Sequence, residues 1–138
     1  MTYNTLGVAR RTKRFKGAEG CGARRVVVNG DAANECKNTA AANAGDLAGC
    51  TWDSAKDDEG VALQQYGYTE LESSAAIAYG ALVNVAADGG NSANRGRIKA
   101  VSETDTTVNL VGRAEEAATA AGQRIRVDIR RFGEQIAV

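Results

Sequence analysis

The chain has 138 residues, with 17 basic and 17 acidic side chains, 16 glycines, three cysteines, and neither histidine nor proline. That length suits one domain, and no apolar run approaches the ~18 residues that span a bilayer. The lack of histidine excludes His-based triads, a histidine general base and most zinc sites. The zero net charge conceals a polarity along the chain. Residues 1–25 carry seven basic groups against one acid, residues 26–95 three against ten, and residues 96–138 seven against six.

Residues 1–23 read as a basic N-terminal arm. Met1 to Gly20 contains no apolar stretch of the signal-peptide kind, while Arg10, Arg11, Lys13, Arg14 and Lys16 crowd around Phe15. Clustered like charge favours a complementary surface, so these six residues are candidate partner contacts. Phosphates could satisfy the same charges. The acidic body and the single aromatic after position 10 give no stacking groove, however, so specific nucleic-acid binding is not expected.

The rest of the chain reads as strands. Residues 24–29 form a β-branched run closed by the turn signal Asn29-Gly30-Asp31. Ala32–Ala44 is alanine- and asparagine-rich without an apolar stripe and reads as an exposed loop. Val61–Tyr66, Leu82–Val85, Ile98–Val101, Thr106–Val111 and Ile125–Ile129 follow as strands, several of them ending at Gly, Asn or Asp. The alternation across Gln123–Arg130 points apolar groups one way and charges the other, as in an antiparallel sheet with one wet face. Arg113–Ala121 has helix-forming composition but no large apolar residue, and reads as a short helical turn or a loop. Many short strands between such turns predict an all-β fold, a small β-sandwich or β-barrel-like domain.

The strand pattern also repeats. Arg25–Asp31 is echoed by Ala81–Asp88, Asp46–Cys50 by Asn109–Arg113, Ala55–Gly60 by Ala118–Gly122, and Tyr66-Gly67 by Phe132-Gly133. Two units are too few for a solenoid, so the expectation is one β-rich domain over 24–138 made of two similar motifs, about 24–70 and 71–138.

Cys21, Cys36 and Cys50 are odd in number and contain no Cys-x-x-Cys pair. Buried free thiols are the favoured reading, with one disulfide left open. The sequence contains no Gly-x-Ser-x-Gly and no phosphate-binding Gly-x-x-x-x-Gly-Lys-Ser/Thr. The acidic pairs Asp57-Asp58 and Glu115-Glu116 are read as solvated. No enzyme activity, metal or cofactor is expected.

Several phrases carry a family resemblance. Arg14-Phe15-Lys16-Gly17, Val26-Val27-Val28 and Gly60-Val61-Ala62-Leu63-Gln64 resemble the opening half of the capsid decoration, or head cement, proteins of tailed phages. Ala76–Val83 resembles that family's central segment. Leu110-Val111-Gly112-Arg113-Ala114, followed by Ala121–Val127, resembles its closing half. The likeness runs from about Phe15 to Ile129. The basic leader, the Ala32–Ala44 insertion and the three cysteines depart from the family pattern.

The resemblance implies a protein on the outer capsid surface of a virion, with the major capsid protein as partner. It implies association with itself, as a homotrimer or a dimer, and no membrane. Under that reading Arg10, Arg11, Lys13, Arg14, Phe15 and Lys16 would touch the capsid. Tyr66, Tyr68, Arg124, Arg126 and Arg130 would be candidates for the oligomer interface, where aromatic residues and arginine are enriched. The alternatives are a polyanion-binding module led by the basic arm, or a self-assembling virion subunit such as a tail-tube protein.

Overall fold

Residues 10–138 are described by a computed structural model, in which the expected all-β architecture is present. The first five strands are β1 (Arg10–Phe15), β2 (Val26–Asn29), β3 (Glu35–Lys37), β4 (Leu47–Thr51) and β5 (Gly60–Gln64). They form a closed barrel in the order β1-β3-β2-β4-β5. Next come β6 (Tyr68–Glu72), β7 (Leu82–Val85), β8 (Ile98–Ala100), β9 (Thr107–Asn109), β10 (Gly112–Ala114), β11 (Arg124–Asp128) and β12 (Gln135–Ala137). A five-stranded sheet runs β6-β11-β10-β7-β8, and β9 pairs with β12 separately. No helix among the described residues is long and apolar enough to cross a membrane.

The two five-stranded units share one wiring. Read from β3, the barrel order is β3-β2-β4-β5-β1, and the second sheet reads β8-β7-β10-β11-β6. The registers correspond as well. Val26 opposite Cys50 matches Leu82 opposite Arg113, and Thr51 opposite Leu63 matches Ala114 opposite Val127. Asn29 opposite Cys36 matches Val85 opposite Ile98. The isolated bridge Cys21–Ala55 matches Ile77–Ala118. Even the parallel closure recurs. Phe15 pairs with Cys36 in the barrel, and Ser73 makes a single parallel bridge to Ile98 in the second unit.

Equivalent positions fill equivalent interiors. The barrel core holds Phe15, Cys21, Val27, Cys36, Ala48, Ala55, Val61 and Leu63. At the matching sites after Phe15, the second unit buries Ile77, Val83, Ile98, Val111, Ala118, Ile125 and Val127. Gly49 and Gly112 are a matched pair with one cause. A Cβ on Gly49 would lie 2.7 Å from Leu63 Cβ, and one on Gly112 would lie 2.9 Å from Val127 Cγ1 and collide with the Asp128 carbonyl. Each glycine lets its strand press against the next.

The units are joined through their interiors and through buried polar groups. Val26 and Cys50, from the barrel, belong to the core of the second unit. Glu72 accepts from Arg25 at 2.8 Å and from Arg97 at 2.6 Å, all three side chains being largely buried. Backbone bonds from Val26 N to Gly96 O and from Glu72 N to Arg24 O reinforce this seam. Asn43 also docks on β9. Its amide donates to Thr107 O and its Oδ1 accepts from Asn109 N, so it stands in for an edge strand.

Three local expectations need correction. The arm expected over residues 1–23 lies outside the described residues up to position 9. From Arg10 to Phe15, however, it is a barrel strand paired with β5 over five residues, because the β5 edge would otherwise be left with unpaired backbone groups. Ala32–Ala44 contains β3, whose Cys36 is buried, and so is not wholly a loop. Arg113–Ala121 has no helical turn. It completes β10 and then follows the loop alternative, returning to the sheet through the Ala118 bridge, with Ala114 and Ala118 buried. The three cysteines are free and buried. Burial pushes each thiol upward, Cys36 to about 11, which leaves the protonated, unreactive form.

Candidate interaction surface

The basic run on β1 is largely consumed by the fold. Alternation along the strand sends Phe15 inward, where it is fully buried, so it is a core residue and not a partner contact. Lys13 is half-buried and donates to Asn29 Oδ1 at 2.7 Å. Arg14 and Lys16 both reach Asp58 Oδ1, at 3.2 and 3.1 Å, and these cations hold the Asp58 carboxyl below its usual range. Arg11 is exposed, although alternation places it on the same side of β1 as Lys13 and Phe15. Arg10 opens the strand opposite Gln64. What remains on the surface is a mixed patch of charges. Asp58 therefore pairs with two cations of its own chain.

The aromatic and arginine candidates gather where β5 passes into β6. Tyr66 and Tyr68 are 43% and 51% exposed on either side of Gly67, whose positive φ of 93° makes the tight link between units. Arg130 lies over the Tyr68 ring at 5.4 Å and grips Asp128, with Nη2 to Oδ2 at 2.6 Å. The hydrogen bond from Arg130 keeps Asp128 below the ordinary carboxylate range, and Asp128 in turn raises Arg130. A cation–π contact held by a second anchor fixes the ring as well as the guanidinium. Beside it, Tyr66, Leu82, Leu110, Arg113, Asp128 and Arg130 line a groove of about 370 Å³. Arg126, on the outer face of β11, stands with Tyr68 on the other flank. Arg124 is apart from the group, opposite Glu72 at the far end of the β6–β11 ladder.

Trp52 and Arg24 belong to this surface and carry no obvious sequence signal of their own. Trp52 Nε1 donates to Gln64 Oε1 at 2.6 Å. Gln64 is itself buried and donates to the carbonyls of Tyr66 and Tyr68, so one amide ties the tryptophan to the link between units. Arg24 lies over the Trp52 ring at 5.8 Å. The signal that could have found Arg24 is the internal repeat. It occupies the site where the second unit has Gly80, and both residues have positive φ.

The arrangement has the character of a protein-binding face. Trp, Tyr and Arg are the residues that dominate binding energy at interfaces; here Trp52 is held by Gln64 and Arg130 by Asp128, which lowers the ordering cost of association.

Comparison with known proteins adds a fold-level finding. No family model matches the chain, and no curated protein matches its sequence. Among solved structures, the head fiber gp8.5 N base of bacteriophage phi29 superposes with a TM-score of 0.62 at 17% identity, covering 91% of this chain and 96% of that one. Nearly the whole of both chains therefore shares one fold.

Proposed function

We propose that this protein is a structural component of a phage virion that binds the outer surface of the assembled head and stabilises contacts between major capsid subunits. The observation that carries the reading is the end-to-end fold likeness to the phi29 head fiber base. The sequence resemblance to head cement proteins points the same way, and the role calls for an adhesive surface with no catalytic group. The face built from Tyr66, Tyr68, Arg126 and Arg130 supplies such a surface, whereas much of the β1 charge is spent within the chain. A ligand that binds only the closed lattice shifts the balance toward it, and many copies with modest contacts add up through multivalency.

Co-sedimentation of the purified protein with mature phage heads tests the reading. The expected result is saturable binding and heads that rupture at a higher temperature when decorated. Failure to bind heads at any concentration would contradict it. The trimer implied by the family resemblance is checked by light scattering on the free protein.

A further inference from the structure

Arg24 costs the fold in two ways that no hydrogen bond to its guanidinium among the described residues repays. Its φ is +59°, a left-handed conformation that L side chains disfavour, at the very position where the repeated unit has Gly80 at +83°. Its Nε is buried without a hydrogen-bond partner among the described residues. Strain of this kind persists where it serves a site. The side chain forms one wall of a pocket of about 240 Å³, with Trp52, Tyr68, Thr69, Glu70 and Arg126 as further walls. Among the described residues no ion pair engages Arg24 or Arg126. Thr69 Oγ1, another wall residue's hydroxyl, likewise has no hydrogen-bond partner among the described residues.

We infer that this pocket binds a carboxylate presented by a partner protein chain. Two guanidiniums and one glutamate leave a single surplus positive charge, which suits a monoanion and disfavours a phosphate dianion beside Glu70. Two aromatic walls flank the space, as fits a flat group, and arginine matches a carboxylate with paired donors. Trp52 is held by Gln64, so the wall on which Arg24 stacks is fixed before the ligand arrives. The inference deepens the head-binding reading and rests on it only for the identity of the partner.

The test is a titration of the isotope-labelled full chain by NMR, reading the Trp52 indole N–H and the Arg24 Nε–H. The probes are the blocked tripeptide Ala-Glu-Ala, its Ala-Gln-Ala counterpart, N-acetyl-Ala-Ala-Ala with a free C-terminus, and inorganic phosphate. Saturable shifts of both signals are expected with a carboxylate peptide, and binding at least about tenfold weaker with the glutamine peptide, as for loss of a charge-assisted pair. The tighter of the two carboxylate peptides assigns the group to a side chain or to a chain terminus.

Arg24→Gly is expected to abolish the shift of the Trp52 signal while leaving the unfolding temperature unchanged or higher, because glycine accepts the backbone conformation. Arg24→Asn, which also tolerates it, provides a second folded variant with the same expected loss. No saturable shift with either carboxylate peptide, phosphate binding as tightly as the glutamate peptide, or full binding by the folded Arg24 variants would overturn the inference. Because the titration contains no heads, its failure is distinct from failure of head binding.

Discussion

The two units solve the same topological problem with different materials. The first closes its barrel with a parallel ladder between β1 and β3 and plugs it with the buried ring of Phe15. The second closes on a single bridge at Ser73, whose hydroxyl bonds the Ala120 carbonyl, and relies on isoleucine and valine where the first has cysteine and alanine. The wiring is therefore held by backbone pairing and by the glycines that permit it, while the filling is interchangeable. The difference also teaches where to look for function. Where the units diverge against their own backbone preference, as at Arg24 and Gly80, packing alone does not account for the residue.

The comparison is tested most severely at its matched glycines. Gly112→Ala is expected to be among the most damaging substitutions, about 3 kcal/mol or more, because the new methyl collides with the Asp128 backbone; Gly49→Ala, whose methyl meets Leu63 Cβ and less closely the Gln64 carbonyl, should cost about 1–3 kcal/mol. Chemical denaturation of both variants checks the order, and wild-type stability in either variant would break the account of the shared constraint. Phe15→Ala follows, at about 3–5 kcal/mol where the barrel cannot collapse into the space. Its counterpart Ser73→Ala removes the hydrogen bond to Ala120 O and should cost about 1 kcal/mol. A Phe15 variant as stable as wild type would return β1 to the status of a loose arm.

Glu72→Gln probes the seam. Removing the negative charge between Arg25 and Arg97 should cost about 2–3 kcal/mol, below the full penalty for a buried pair because all three side chains retain some exposure. Trp52 fluorescence and far-ultraviolet dichroism should still report one transition, since Val26 and Cys50 lie in the second unit's core.

The smallest effect is in pH. Asp58, Asp88 and Asp128 all have carboxyls held low by arginine or lysine partners. A carboxyl depressed on folding contributes stability that is fully present above its unfolded value, about 4, and is lost as pH falls through the lower folded value. Thermal midpoints should therefore hold from pH 7 to 5 and drop toward pH 3. Asp128→Asn should flatten part of that drop, and an unchanged acid limb would remove Asp128 from the explanation.

Much of this fold was legible in the residues, for identifiable reasons. β2, β5, β7, β8, β9 and β11 were found because β-branched or alternating apolar residues end at turn signals. Pairing Asp46–Cys50 with Asn109–Arg113 coincides with the ladder correspondence of β4 and β10, because the glycine in each is imposed by the same close approach. β1 reads as an arm because basic residues stand on both of its faces and Phe15 is the single apolar residue among Arg11, Lys13 and Phe15, so no alternation registers. β3 and β10, three residues each, carry too little pattern to be read alone. At the candidate surface, the sequence groups Tyr66, Tyr68, Arg124, Arg126 and Arg130; the structure keeps four of them together, while Arg124 sits at the other end of its strand. Trp52 and Arg24 escaped because their importance lies in Gln64 and in a backbone angle, neither of which composition displays.

The claim that the aromatic and arginine face docks on the head is tested most directly by quantitative binding of three proteins to purified heads. These are wild type, Tyr68→Ala/Arg126→Glu and Arg14→Glu/Lys16→Glu. The account predicts at least about tenfold weaker binding for the first variant, as for loss of an interface anchor, and a change within about threefold for the second, whose cations are already paired on an exposed surface. Loss of binding confined to the Arg14/Lys16 variant, with the Tyr68/Arg126 variant binding like wild type, would contradict it.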